Sequence, residues 1–208
     1  MSELDPKLVA AIVPRAKRQI RKSMRALRSA YPRAALEERS RRIVARVSER
    51  QEFVRARSVG LFWPLLERAE VDTRPLHAAA RLDGKAVYYP FAESAGDRLI
   101  TGFRRADDSA ELAERGRGFV EPDPARPAAL RGELDVIVVP AVAASSSGDR
   151  LGYGMGFYDV TLPDFAPPAI TLVVVFEFQL LAEVPTLPHD VRCHYVVTEE
   201  RVLPAPPP

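Results

Sequence analysis

At 208 residues and 23.0 kDa, with 47% hydrophobic residues, the chain is long enough to bury one α/β core and too apolar for a disordered segment. No apolar run approaches the ~18 residues of a membrane span, the acids in the leading MSELDPKLVAAIVPRAKR do not fit a secretory signal, and a lone Cys193 excludes an intrachain disulfide or a thiolate zinc cage. The net charge of +2 hides a division: residues 1–57 hold 16 Lys/Arg against 6 Asp/Glu, a net of +10, and the remainder 14 against 22, a net of −8.

Such a basic segment faces an anion or nucleic acid, packs on the acidic remainder, or forms the solvated side of helices. Tyr31 and Phe53 are its only aromatic residues, too few to stack single-stranded nucleic acid. Neither a nucleic-acid nor a membrane partner is expected, and the cytoplasm is the expected location.

Along the chain, Ile20, Met24, Leu27 and Tyr31 recur at helical spacing, and Pro32 ends that helix. Leu36, Ile43, Val47 and Val54 mark a second helix with one apolar stripe. SVGLFW (58–63) reads as a first strand, VDTRPLHAAARL (71–82) as a crossover helix, and AVYY (86–89) as a second strand closed by Pro90. RLITGF (98–103) is a further strand. Residues 106–131 are polar and proline-rich, mostly loop with one short acidic helix. DVIVVP (135–140) and ITLVVVF (170–176) are β-branched runs of the kind found in parallel strands buried on both faces. HYVVT (194–198) is the final strand. The alternation predicts a single-domain, three-layer α/β/α sandwich around a mainly parallel sheet, spanning residues 1–203 and followed by a disordered proline-rich tail, 204–208.

GDRLGYGMGFYDVTL (148–162) follows the DVIVVP strand directly. Parallel sheets bind ligands at the carboxyl ends of their strands, where helix N-termini present free N–H groups. Glycines there let the backbone approach phosphate oxygens. Arg150 adds a charged fork, and Asp159 is placed to hold Mg²⁺ on a polyphosphate. The glycines alone equally describe a tight strand-to-helix turn capped by Asp159. Neither common phosphate loop fits: G-K-[ST] is absent, and Phe157 stands where G-x-G-x-x-G needs its third glycine.

The wider string VPAVA…GDRLGYGMGFYD resembles the signature of the 5-formyltetrahydrofolate cyclo-ligase (5,10-methenyltetrahydrofolate synthetase) family. KRQIR (17–21), EVDT (70–73), FVEP (119–122), FQLLAEVPTLPHD and VVTEERV resemble further family elements, in the family's order. The resemblance implies an ATP-dependent enzyme that closes 5-formyltetrahydrofolate to 5,10-methenyltetrahydrofolate. The formyl oxygen is first phosphorylated, then N10 adds and phosphate departs.

By the same resemblance, Lys17 and Arg21 bind ATP phosphates. Four apart, they share a helix face that the spacing reads as pointing away from Ile20, Met24 and Leu27. The alternative is a solvated stripe with Arg25 and Arg28. Gly148 and the run Arg150, Leu151, Gly152, Tyr153, Gly154, Met155 and Gly156 match the family's second phosphate clamp. Asp159 and Asp190 match positions associated with Mg²⁺. Glu70 and Leu65 match folate-pocket positions, and Tyr158, with Arg150 the expected catalytic pair, sits near the formyl group. His77, His189, His194 and Cys193 are expected to be structural. ATP and Mg²⁺ are therefore the implied co-substrate and cofactor, and a small folate the implied partner of a monomer or weak homo-oligomer.

The sequence departs from the family pattern at Ala141, Ala144-Ser145, Met155, Phe157 and His194. The altered loop borders the expected folate pocket. This leaves a relative acting on another substrate, or a non-catalytic nucleotide- or folate-binding protein, as the alternative.

Overall fold

A computed structural model describes residues 6–96 and 98–206. The elements run α1 (Pro6–Ala30), α2 (Arg33–Ser48), α3 (Gln51–Arg55), β1 (Ser58–Gly60), α4 (Arg74–Leu82), β2 (Ala86–Ala95), β3 (Arg98–Arg105), β4 (Leu112–Glu114), β5 (Val120–Pro122), β6 (Val136–Pro140), β7 (Ala143–Ser145), β8 (Arg150–Leu151), α5 (Phe157–Thr161), β9 (Ile170–Val174), β10 (Leu180–Leu181), β11 (Tyr195–Val197) and β12 (Val202–Pro204). Among the described residues the main sheet has seven strands in the order β12-β11-β9-β6-β1-β2-β3. Its interior pairs are parallel, while β12 and β3 join antiparallel at the two edges. Strands β7, β8 and β10 form a small second sheet, and β4 pairs with β5 in a hairpin.

The two β-branched runs become β6 and β9, both buried, and their alternate residues feed opposite cores. Val136, Val138, Leu172 and Val174 face α2, α3 and α4 through Ile43, Val47, Phe53 and Leu76. Ile137, Val139 and Val173 face Phe103, Leu162, Phe165 and Cys193. Parallel strands buried on both faces have this composition because neither face meets water. The second face is covered thinly, by the five-residue α5, a short 3₁₀ turn at Leu162–Asp164 and loops. Helix α1 packs on the small sheet, where Ile20 and Met24 meet Ala143, Leu151 and Val184.

Several expectations are corrected. The second helix breaks at Glu49–Arg50, where Arg50 turns extended (ψ 133°) before α3. The break shifts the helical phase, so Phe53 is buried and Val54 is exposed. Strand β2 continues through Pro90, because beyond Tyr88 its ladder partner is β3 and not β1. The polar segment contains a 3₁₀ turn at Ser109–Glu111 and also the β4–β5 hairpin. Pro204, read as part of the tail, ends β12, since Val202 and Leu203 half-bury against the two cores. The Ala205 N–H then donates to the His194 carbonyl at 2.8 Å. Pro207 and Pro208 lie outside the described residues. No helix among those described is long and apolar enough to cross a membrane.

Candidate active site

The carboxyl ends of the parallel strands open into a cavity of about 320 Å³. Phe62 and Trp63 follow β1, Pro90 lies in β2, and Pro140 ends β6. The turn Arg150–Gly156 closes one side, and Lys17 and Arg21 reach in from α1. All the sequence-predicted site residues line it, with one exception: Lys17, Arg21, Leu65, Glu70, Arg150, Leu151, Gly152, Tyr153, Gly154, Met155, Gly156, Tyr158, Asp159 and Asp190. The exception is Gly148. It adopts φ +82°, and a Cβ there would sit 2.3 Å from the Cys193 carbonyl oxygen, so this glycine is required by backbone packing outside the cavity.

Three contacts tie distant segments together around the opening. Lys17 Nζ donates to Asp190 Oδ2 at 2.5 Å, and both side chains are nearly buried. Arg21 Nε donates to the Gly152 carbonyl at 2.8 Å. Arg150 Nη1 donates to Asp159 Oδ1 at 2.8 Å. The geometry corrects the expectation that Lys17 and Arg21 turn away from Ile20 and Met24. Lys17 and Met24 are seven residues apart, two helical turns, so they lie on one side of α1 and both point into the protein. Lys17 is accordingly buried, and Leu27 is the exposed member of the apolar series.

Burial raises the Asp190 carboxyl, but the Lys17 ammonium and the Leu187 N–H outweigh it and hold its pKa below the ordinary value. Arg21 is pulled below its usual range, first by burial and then by Arg25. Asp159 Oδ1 also accepts the Val191 N–H at 3.1 Å. Each acid therefore commits one oxygen to protein donors, Oδ1 of Asp159 and Oδ2 of Asp190.

The glycine turn works differently from the expected helix-terminus site. Helix α5 has five residues, too few for an appreciable dipole, and the positive charge comes from side chains. Gly154 takes φ +105°, which a side chain would strain, and Arg21 packs against it. At Gly152 a Cβ would meet no atom within 4 Å, so the missing side chain leaves open room at the Arg21 contact.

On the opposite wall, Glu70 is 9% exposed and its Oε2 accepts the Leu65 N–H at 2.9 Å. Three residues that line the cavity each carry a buried polar atom with no hydrogen-bond partner: Arg150 Nη2, the Tyr158 hydroxyl and the Tyr153 hydroxyl. Burial drives the pKa of both tyrosines up, so both hydroxyls are protonated donors. Unpaired buried donors around one cavity mark where a ligand's acceptors belong.

The sequence pointed to no role for Phe62, Trp63 or Phe119 and marked His189 as structural, yet all four line the cavity. Trp63 was expected to be the last residue of a strand over 58–63, but β1 ends at Gly60, which leaves Trp63 just past its carboxyl end. Phe119 was signalled by the FVEP string, and its ring packs 5.5 Å from Phe157. His77 and His194 lie away from the cavity lining and hydrogen-bond Tyr89 and Thr171, and Cys193 is buried.

A cavity at the carboxyl edge of a parallel sheet, lined by apolar walls and a few convergent charges, is where α/β enzymes bind small molecules. The sequence model of the 5-formyltetrahydrofolate cyclo-ligase family matches residues 13–199. The 5-formyltetrahydrofolate cyclo-ligase of Escherichia coli K12 is 33% identical over 153 residues, covering 72% of this chain and 81% of that protein. That of Mycolicibacterium smegmatis is 50% identical over 80 residues, a match covering 38% of this chain and 41% of that protein. The NMR structure of Aquifex aeolicus 5,10-methenyltetrahydrofolate synthetase aligns with a TM-score of 0.77 at 25% identity, covering 92% of this chain and 94% of the other. The synthetase of Mycoplasma pneumoniae shares the fold, with a TM-score of 0.68 at 17% identity over 88% of this chain and 98% of that one. The chain belongs to the 5-formyltetrahydrofolate cyclo-ligase family, a family of ligase enzymes.

Proposed function

We propose that this chain catalyses the ATP- and Mg²⁺-dependent cyclisation of 5-formyltetrahydrofolate to 5,10-methenyltetrahydrofolate, releasing ADP and phosphate. The observation that carries the reading is the meeting of Lys17, Arg21 and Arg150 with Asp159, Asp190 and the unpaired Tyr158 hydroxyl in one cavity. The family and the names of its members supply the substrate class.

In this reading Lys17, Arg21 and Arg150 bind the triphosphate beside the open backbone of Gly152 and Gly156. Glu70, Leu65 and the aromatic walls hold the folate ring, whose N–H edge suits a carboxylate acceptor. The formyl oxygen attacks the γ-phosphorus and ADP leaves. N10 then bonds to the activated carbon and loses its proton, and the carbon–oxygen bond breaks to release phosphate. Phosphoryl transfer depends chiefly on alignment and charge stabilisation. Arg150 supplies charge through its free Nη2, and the Tyr158 hydroxyl donates to the formyl oxygen or to the phosphate leaving with it.

Asp159 and Asp190 fit a Mg²⁺ ion because each keeps one carboxylate oxygen uncommitted to a short protein hydrogen bond. Mg²⁺ takes one or two carboxylates and completes its shell with water and phosphate oxygens. Its contribution when bound is to neutralise phosphate charge. Among the described residues no group of three acids, histidines or cysteines forms a protein-only metal cage, in keeping with an ion shared with the nucleotide. The protein acts in the cytoplasm, as a monomer or weak homo-oligomer, on a small-molecule substrate.

Absorbance in the methenyl-folate band, followed with 5-formyltetrahydrofolate, ATP and Mg²⁺, tests the reading. Product that requires all three supports it. Calorimetric heat from a non-hydrolysable ATP analogue and none from the folate would identify a relative with a changed substrate. Heat from both ligands without product would identify a non-catalytic binding protein.

A further inference from the structure

A second cavity, of about 500 Å³, lies beyond Tyr153 and Met155, which line both spaces. We infer that this cavity, walled by Arg25, Arg28, Arg68 and Tyr153, is a carboxylate subsite that holds the glutamate end of the folate substrate. The inference rests on the folate reading above.

Three guanidinium groups converge on one ring, with Cζ atoms 5.4 Å (Arg25), 5.7 Å (Arg28) and 5.9 Å (Arg68) from the Tyr153 centroid. Elsewhere arginines such as Arg39, Arg74, Arg104 and Arg126 pair with acids. Among the described residues these three make no ion pair. Arg25 reaches the Tyr153 carbonyl at 3.4 Å, and Arg68 reaches the Gly118 carbonyl at 3.0 Å. Glu67, exposed at the rim, is the one acid lining the space.

Arg28 is 3% exposed, and its buried Nε has no partner. The alternative that placed Arg28 in a solvated stripe thereby fails at this residue. A cation over an aromatic face recovers part of its lost hydration, but a buried guanidinium without a counter-ion is unfavourable unless an anion arrives. The planar forks match carboxylate and phosphate oxygens alike.

The choice between these two anions follows from position. Phosphates already have Lys17, Arg21 and Arg150 in the first cavity. The arginine cavity instead adjoins the folate side: Arg28, Tyr153 and Glu70 border a common small gap between the two spaces. A folate carries its ring at one end and two glutamate carboxylates at the other. With the ring beside Glu70, the tail leaves past Tyr153 into a cavity holding three unpaired cations.

The test is steady-state kinetics with 5-formyltetrahydrofolate and with 5-formyltetrahydropteroate, which keeps the ring, formyl and aminobenzoyl groups but lacks the glutamate. In the native protein the truncated substrate should show a KM at least tenfold higher than the intact one. In Arg25→Gln and Arg68→Gln, both exposed positions, that ratio should fall toward one because the KM of the intact substrate rises. An unchanged ratio in both variants overturns the subsite. A raised ATP KM with an unchanged ratio reassigns the cavity to phosphate and overturns it too. If the native protein turns over neither substrate, the folate reading itself fails and the subsite falls with it.

Discussion

Arg150 and Asp159 meet across the glycine turn: Nη1 donates to Oδ1 at 2.8 Å, and the same oxygen accepts the Val191 N–H at 3.1 Å. One carboxylate oxygen thus fixes Arg150 and anchors the segment entering β11, in an acid that also lines the cavity. Asp159→Asn retains an acceptor for both donors but loses the charge. It should cost about 1–3 kcal/mol of stability, while turnover falls by more than about a hundredfold, as when a preorganised charge at a reacting centre is removed. Thermal melts beside kcat at several Mg²⁺ concentrations separate the two effects. Normal turnover in an early-melting variant would leave Asp159 with a structural role only.

Tyr158→Phe separates function from stability more sharply. Its hydroxyl is buried with no partner, so deleting it removes an unsatisfied donor and should leave the melting temperature unchanged or raised. The kcat should drop at least tenfold with ATP affinity intact. A variant as fast as the native protein would show that the hydroxyl has no part in the reaction.

Lys17, proposed above to bind nucleotide, also bears on acid stability through Asp190. Lys17→Met should raise the ATP KM by about ten- to a hundredfold, the span of one charged hydrogen bond of about 1.5–3 kcal/mol. The pKa of Asp190 is depressed in the folded state, so the pair stabilises the fold above the unfolded carboxyl value of about 3.9, and this is lost as pH falls through the folded value. Denaturant midpoints from pH 6 down to about 2, the span of a depressed carboxylate, should fall less steeply in Lys17→Met. Parallel curves for the two proteins would contradict the linkage.

Glu70→Gln should keep an acceptor for the Leu65 N–H while losing the charge offered to the folate ring. The folate KM is expected to rise at least tenfold with the ATP KM within twofold of native. Equal changes in both would place Glu70 in general wall structure, not in folate recognition.

Glu121 serves the fold. It is 3% exposed and accepts the Ala92 N–H at 2.7 Å, pinning the β4–β5 hairpin, whose neighbour Phe119 walls the cavity, to strand β2. Glu121→Ala leaves that N–H buried and unpaired, at about 1–3 kcal/mol, and at about 2–4 °C per kcal/mol the melting temperature should drop accordingly. A native melt would show that solvent reaches the freed N–H.

The buried strands were legible because β6 and β9 are nearly continuous β-branched runs, a pattern that few other environments accept. The glycine turn and its charged neighbours were legible as a string, since its residues are contiguous or nearly so. What escaped reading depended on partners far away in sequence. Phe53 replaced Val54 in the core because of one extended residue at Arg50. Arg28 looked like part of a solvated stripe because nothing local reveals the Tyr153 ring above it. Gly148 looked like part of the phosphate turn, yet the constraint on it comes from the Cys193 carbonyl.

Lys17 and Asp190 lie 173 residues apart, and Arg21 and Gly152 lie 131 apart. A chain emerging from the ribosome therefore lacks half of its cation–acid framework until Asp190 has been made. Contacts of such separation form late, after the loop entropy between them has been overcome. Products ending before Asp190 would leave Lys17 without its acid. Resistance to proteolysis conferred by nucleotide should therefore belong to chains that include Asp190 and be absent from fragments that stop before it.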